Sequence, residues 1–384
     1  MHQAVKSVRL RWPRGDVPLG PFLAMVQHDD QRYMRRALRL ARRAMGTASP
    51  NPLVGAVVVK DAVILGQGYH RRPGEEHAEV LALRQAGRKA RGSTLYVNLE
   101  PCCFQGRTPP CTEEILRRGI ARVVCAQEDP NPRVSGKGLA RLRSAGLEVT
   151  AGVLETKARA LNEVYNKHIS TGLPFLVVKI AQTLDGRIAA RDGDSRWITS
   201  TASRRLVHRL RSRLDAVLVG WSTVRRDDPL LTVRHVRGRD PVKVILDSRL
   251  RTPLKARLWS AGRTIVATCE GHQESRLQRY RGRGAEVWEF PPDASGRVDF
   301  EKCIRRLGRE GVASVLVEGG QRVFTTALRS GLTDRVIIFL APCLLGQGKN
   351  AIGDLGIHRI AEALPVRELN LRRLGPDVLI SGRM

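Results

Sequence analysis

An α/β fold in two layered domains is predicted by three features of this 384-residue sequence. Strand-like and helix-like segments alternate along almost the whole chain. A Ser-Thr-Gly-Leu-Pro stretch at 170–174 divides that alternation in two and reads as a linker. The length suits two domains of ordinary size, each with its own core.

The first regular element is expected at 30–46. Met34, Ala37, Leu38, Ala41 and Met45 share one face there, with Asp30 placed to cap the start and Gly46 the end. Residues 54–60 and 63–69 read as a strand hairpin, 78–87 as a helix, 94–100 as a strand and 112–119 as a short helix. A strand at 121–127, a helix at 138–146 and a strand at 147–152 complete a compact α/β layer unit, and 154–168 reads as a connecting helix. Beyond the linker, strands are expected at 175–181, 215–220, 242–247, 263–268, 313–318, 335–341 and 377–382. No fixed-period repeat and no low-complexity segment interrupts this pattern.

Composition narrows the class. Hydrophobic content is 42% with few aromatics, as in a soluble globular protein. No stretch approaches the roughly 20 apolar residues that span a bilayer. The run at 17–26 faintly imitates a signal peptide, but two prolines interrupt it and no small-x-small cleavage site follows. Seven unevenly spread cysteines fit a reduced protein with a local metal site better than a disulfide framework. The formal charge of +29 permits nucleic-acid binding, a solvated arginine-rich surface, or attraction of phosphorylated substrates. Charge alone does not choose among these.

The densest chemistry lies in "EPCCFQGRTPPC" at 100–111 and "EEHAEVLAL" at 75–83. A histidine, a glutamate two residues on, then Pro-Cys and a further cysteine make the zinc nucleobase-deaminase pattern, a system that the general chemistry of base deamination describes. One imidazole and two thiolates hold Zn²⁺ and leave its fourth position for water, whose pKa the metal lowers. A carboxylate then carries a proton from water to the departing amine. His77, Cys102 and Cys111 are the expected ligands of one zinc, and Glu79 the proton carrier. Residues i and i+2 of a helix point about 200° apart, so His77 must precede the regular turns of its helix. Cys111 stands at a helix start, where the dipole favours thiolate. Eight residues separate Cys102 from Cys111, not the two of C-x-x-C. That loop places Gly106, Arg107 and Thr108 beside the metal. Cys102 and Cys103 are adjacent and leave the backbone in different directions, so Cys103 is the spare.

Together, "SPNPLVGAVVVK" (49–60), "HAEVLAL" (77–83), "EPC…GRTPPC" (100–111) and "DPNPRVSGKGLARLRSAG" (129–146) resemble the deaminase half of the bifunctional riboflavin-biosynthesis deaminase/reductase family. "KIAQTLDGRIAARDGDSRWIT" (179–199), "VHRLRSRLDAVLVG" (207–220), "TVRRDDPLLTVR" (223–234), "VILDSRLRTP" (244–253) and "VLVEGG" (315–320) resemble its reductase half. The resemblance implies a cytidine-deaminase-like three-layer domain at 30–171 and a dihydrofolate-reductase-like domain at 172–384. Residues 1–29, ahead of it, read as a basic, disordered tail. The resemblance implies two steps. The 2-amino group of a diamino-ribosylamino-pyrimidinone 5′-phosphate is hydrolysed, and the ribosyl group is then reduced to ribityl with NADPH.

Carried onto this chain, the resemblance assigns substrate binding to Asn51, Arg107, Lys179, Ser195, Arg211, Leu231, Arg234 and Glu318. It assigns cofactor binding to Ala181, Trp197, Thr223, Asp227, Ser248 and the segment Gly320, Gln321, Arg322, Val323, Phe324, Thr325 and Thr326. Elementary chemistry supports part of this. Strand, Gly-Gly and helix at 315–331 let phosphates approach the backbone and a helix N-terminus. Arg211 and Arg234 can pair with phosphate bidentately. Blander readings stand beside these: a tryptophan such as Trp197 is usually core, and Asp227 suits a turn cap. No G-x-G-x-x-G occurs, which disfavours a Rossmann domain. Where family members usually show Ser-His, this chain has Cys103-Phe104. An editing deaminase acting on tRNA adenosine, or a degenerate zinc-stabilised nucleic-acid-binding module, would also suit the charge. The cysteine spacing and the whole second half oppose the first, and the presence of Glu79 opposes the second. The expectation is a cytoplasmic homo-oligomer acting on a small phosphorylated pyrimidine, without membrane or specific nucleic-acid partners.

Overall fold

The computed structural model describes residues 21–106 and 108–384. Its first helix, Pro21–Ala41, starts nine residues ahead of the expected position, so the expected tail is helical from Pro21. Residues 1–20 lie outside the described residues. Asp30 is therefore not a cap. It is buried inside the helix, pairs with Arg122 at 2.8 Å and accepts the Tyr96 hydroxyl at 2.9 Å. A carboxylate with a guanidinium partner is satisfied where it sits, and the helix runs through it.

Five strands form the first sheet, in the order Val63–Tyr69, Gly55–Lys60, Thr94–Val97, Arg122–Cys125, Glu148–Thr150. The first two pairings are antiparallel and the last two parallel. Alternate residues serve opposite faces, as the pleat requires. Ala56, Val58, Leu95, Val97, Val123 and Cys125 pack on the helices Ala78–Ala86, Cys111–Arg117 and Lys137–Ser144. Val57, Val59, Tyr96 and Val124 pack on Pro21–Ala41 and Ala158 of the helix Glu155–Leu161. These are the three expected layers.

The connecting helix is two helices, Glu155–Leu161 and Glu163–Thr171. The break falls at Asn162, whose side chain accepts from Leu53 N at 2.8 Å and donates to Leu53 O at 3.1 Å. A side chain that mimics a backbone partner competes with the helix ladder. The second of these helices serves both domains. Tyr165 and Ile169 join the first core, while Val164 packs on the second. Lys167 reaches Asp334 at 2.5 Å, and Glu163 accepts from Arg335 at 2.9 Å and Arg383 at 2.7 Å. Ser49 Oγ donates to Asp215 at 2.8 Å across the same junction.

The second domain is built on a nine-stranded sheet, in the order Ala285–Phe290, Thr264–Cys269, Val242–Leu246, Ala216–Gly220, Ser314–Gly319, Phe175–Thr183, Thr333–Ala341, Asp377–Arg383, Arg367–Leu374. The strands from Ala285–Phe290 to Thr333–Ala341 run parallel, and the last two are antiparallel. Two strands beyond the expected set, Ala285–Phe290 and Arg367–Leu374, are the edges of this sheet. Both carry charged residues, Glu286 and Glu289 in the first and Arg367, Glu368, Arg372 and Arg373 in the second, because an edge strand needs only part of an apolar face. Two further short strands, Arg187–Ala190 and Gly348–Asn350, pair with each other beside the sheet. The carboxyl ends of Ala216–Gly220, Ser314–Gly319 and Phe175–Thr183 lie side by side, which is where open α/β sheets bind ligands.

The seat of the first helix depends on Gly55. A Cβ there would lie 2.2 Å from Ala37 O and 2.7 Å from Ala41 N, both backbone. Gly55→Ala is expected to destabilise the protein by about 1–3 kcal/mol, the usual cost of overpacking. Thermal unfolding of wild type and variant measures it.

Candidate active sites

The first site forms where two helices begin. His77 precedes the helix Ala78–Ala86 with extended backbone, φ −73° and ψ 159°, which frees it from the helical spacing and lets Glu79 share its side. Gly66 and Gly68 of the neighbouring strand let that helix lie close: a Cβ at either would meet backbone of Ala78 or Ala82 within 2.6 Å. Cys111 is the first residue of its helix. His77 Nδ1 lies 3.1 Å from Cys111 Sγ and 3.5 Å from Cys102 Sγ, and the three donor atoms all fall within 4.8 Å of one another. Tetrahedral zinc with bonds of about 2.0–2.3 Å separates such donors by roughly 3.5 Å, so the set fits that metal. His77 Nε2 is 3.3 Å from Thr108 Oγ1, which fixes the ring with Nδ1 toward the sulfurs. Arg107 lies outside the described residues.

Electrostatics favour thiolate at Cys102 and, contrary to the expectation from the helix start, oppose it at Cys111. The hydrogen bond with Cys111, and then that with His77, brings Cys102 down to about 4 against the opposing effect of burial. The hydrogen bond to Cys102, with burial, pushes Cys111 well up. Glu79 is 3% exposed, its Oε2 has no hydrogen-bond partner, and burial raises its carboxyl. A buried acceptor without a donor marks the place of a missing polar partner. Cys103 is outside the donor group and half-buried. Phe104 packs under the Arg133 guanidinium, 4.1 Å from the ring centroid.

Asn51 bonds His70 at 3.0 Å, and the His70 ring stands edge-on to His77 at 5.4 Å. Sequence reasoning missed His70, Glu100 and Asp129. Burial holds His70 down to about 4, so it stays neutral. Asp129 is raised to about 6 by burial and accepts the Tyr165 hydroxyl at 2.8 Å. Glu100 is buried and accepts backbone N–H bonds from Asp129, Gly136, Gly138 and Leu139 at 2.8–3.1 Å. The polar residues directly after the strand "TLYV" and in "DPNP" were the available signal.

The second site is a cleft of about 710 Å³ at the carboxyl ends of the parallel strands. Lys179, Ser195, Arg211, Leu231, Arg234 and Glu318 line it. So do Ala181, Trp197, Thr223, Asp227, Gly320 and Phe324. Trp197 is 71% exposed under the Arg204 guanidinium, so it is not core. Asp227 ends the helix Trp221–Asp227, and its carbonyl, not its carboxylate, takes a hydrogen bond from Arg196. Leu231 holds φ 56°, a region that branched side chains rarely enter. Gly320, φ 83°, opens the helix Gln321–Arg329 against the Thr223 hydroxyl.

The remaining expected cofactor residues do not line the cleft. Val323 is buried in the core, and the Thr325 hydroxyl is held by Gln321 O and Gly353 N. Ser248 Oγ accepts from Val298 N at 3.0 Å. Gln321, Arg322 and Thr326 are on the same helix but outside the cleft lining. The helical period explains this: consecutive residues face all sides, and only some face a ligand. Arg211 is corrected as a free phosphate clamp. It forms a bidentate pair with Glu318, at 2.5 and 2.8 Å, and the pair is buried. Burial would raise Glu318, but the Arg211 charge and hydrogen bonds, with Lys179, lower it. Burial also lowers Lys179, 3.9 Å from Glu318. Arg234 remains available, beside His208, His235 and Arg257, which the sequence reading overlooked.

Residues 174–380 match the family described as the RibD C-terminal domain. Residues 27–127 match the cytidine and deoxycytidylate deaminase zinc-binding region. The riboflavin biosynthesis protein RibD of Aquifex aeolicus is 45% identical over 93% of this chain and 99% of its own. RibD of Acinetobacter baumannii superposes with TM-score 0.84 at 36% identity, over 94% of this chain and all of that one. A Thermotoga maritima structure described as a diaminohydroxyphosphoribosylaminopyrimidine deaminase/5-amino-6-(5-phosphoribosylamino)uracil reductase gives 0.82 at 38%, over 93% and 99%. With both catalytic domains present in one chain and relatives matched from end to end, the chain belongs to the RibD family of riboflavin-biosynthesis proteins.

Proposed function

We propose that the chain is the bifunctional enzyme of riboflavin biosynthesis, which deaminates 2,5-diamino-6-ribosylamino-4(3H)-pyrimidinone 5′-phosphate and then reduces the ribosyl group with NADPH. The observation that carries the first step is the buried, unpartnered Glu79 oxygen beside the His77, Cys102 and Cys111 donors. His77, Cys102 and Cys111 would hold one Zn²⁺, which when bound makes water a stronger acid and nucleophile near neutrality. Glu79 takes one proton from the attacking water and returns it to the amino group, which leaves as ammonia. Asn51 orients the pyrimidine from the His70 side, and Arg107 supplies charge from the loop.

In the second site, Lys179, Arg211 and Glu318 present donors and an acceptor suited to a polyol chain. Ser195 and Leu231 frame it, and Arg234 meets the phosphate. Gly320 and Thr223, with Ala181, Trp197 and Asp227, support the cofactor, and the helix after Gly320 supplies N–H groups. Ser248 and the residues from Gln321 to Thr326 back this surface. The tRNA-editing alternative is not favoured, because it leaves the whole second domain without a use. No described helix is long and apolar enough to cross a membrane. We place the enzyme in the cytoplasm as a homo-oligomer. Exposed Leu369 and Leu371 on the edge strand Arg367–Leu374 support self-association. Light scattering in solution tests it, and a monomer at all concentrations would refute it.

Glu79→Gln is expected to keep zinc and lose deamination by about 10²–10⁴-fold, with NADPH-dependent reduction unchanged. Mass analysis of the products with and without NADPH reads both steps. Cys102→Ser should strip the metal while Cys103→Ser keeps one zinc per chain, as measured by elemental analysis. The reverse outcome would move the ligand by one residue. Gly320→Ala should raise the KM for NADPH roughly tenfold, from about 1–2 kcal/mol of left-handed strain, without affecting deamination.

A further inference from the structure

A second concavity, of about 550 Å³, adjoins the reductase cleft and is lined by residues of the paired strands Arg187–Ala190 and Gly348–Asn350 and of the loops at 191–193 and 346–347. Four cationic side chains line it, Arg187, Arg191, Arg226 and Lys349, against one carboxylate, Asp192. Some exposed arginines of this chain pair with acids, as Arg263 does with Glu286 and Arg305 with Glu301. Here Arg191, Arg226 and Lys349 make no ion pair or side-chain hydrogen bond among the described residues. Arg187 Nε is a buried donor without a hydrogen-bond partner. Its nearest acid, Asp185 at 3.8 Å, has its oxygens committed to Thr183 Oγ1 and the Leu345 and Gly346 amides. The cations are also held in place. The Arg226 guanidinium lies against Gly193, within 3.6 Å of where a Cβ would stand. Burial, and then the charges of Arg226 and Arg322, lowers Lys349 against the opposing charge of Asp227. Like charges gathered around a hollow are unfavourable until an anion enters.

We propose that this pocket is a phosphate site separate from the cofactor and substrate cleft, which takes the phosphate monoester or free phosphate dianion of a nucleotide-sized ligand. Its volume falls in the range of small-molecule sites. Three guanidinium groups offer the planar donor pairs that phosphate accepts bidentately. Arg226 and Lys349 line both hollows, so an anion here would be felt beside Asp227 in the cleft.

The test is calorimetric titration of inorganic phosphate into the full-length, zinc-loaded protein with the cleft saturated by NADP⁺. NADP⁺ binding is measured first, so that failure of the reductase reading is seen independently. Saturable phosphate binding that survives NADP⁺, and weakens at least tenfold in Arg191→Gln and in Arg187→Gln, is expected. Neither residue lines the cleft, so the KM for NADPH without phosphate should be unchanged in both. Arg191 is on an exposed turn, which keeps the test valid if Arg187→Gln fails to fold. Displacement of phosphate by NADP⁺ would make the pocket part of the cofactor site and overturn the proposal. Equal affinity in wild type and Arg191→Gln would overturn it as well.

Discussion

Glu100 is the constraint on which the deaminase site rests. Its carboxylate is buried, has no ion pair among the described residues, and is satisfied by four backbone N–H groups of the segment 129–139. Burying an unpaired charge costs several kcal/mol, and hydrogen bonds to a charged group return about 1.5–3 kcal/mol each. The segment therefore closes onto the residue that immediately precedes Pro101 and Cys102. Gly138 permits this approach, since a Cβ there would lie 2.1 Å from Pro101 O. Cys102 then accepts the Cys111 N–H at 3.3 Å, and the second helix start is brought to the first. Asp129, at one end of the clamped segment, is thereby fixed beside the site together with Tyr165.

The reductase cleft uses a different device, mutual neutralisation. Glu318 at the end of one strand and Arg211 at the end of a helix hold each other, with Lys179 from the neighbouring strand close by. The helix that carries Arg211 is itself anchored at its start. The Asp377 carboxylate accepts from Ser200 N and from the hydroxyls of Ser200 and Ser203, which joins the last strand to the cleft. The two sites thus share a logic, in which a buried acid orders the polar groups of a separate segment. They differ in whether backbone amides or a guanidinium satisfies that acid.

The large positive charge has a local meaning as well as a global one. Surface ion pairs leave it unchanged, since 66 lysines and arginines face only 37 acids, and each such pair is worth little because water and salt screen it. Cations without an acidic partner include Arg234 and Arg257 in the cleft and Arg226 and Lys349 where the two hollows of the second domain share a wall. A protein that handles phosphorylated substrates gains steering from such a field.

The zinc donors and Glu79 were legible in the sequence because their chemistry needs particular residue types in a fixed order, and that order is local. The layers were legible because the pleat imposes a period of two and the helix 3.6 on the apolar residues. The resemblance to a known family carried the cleft residues, and the fold gathers most of them. The sequence could not show that Asp30 pairs with Arg122 in place of capping a helix. Nor could it show that Asn162 breaks a helix to bind Leu53, or that Arg211 is committed to Glu318. Each of these is a polar side chain with several acceptable partners, and separations of 92, 109 and 107 residues divide it from the one it takes. Local preference fixes which groups a segment offers. Which partner each group finds is decided only when burial removes water and leaves the nearest complementary group as the best one.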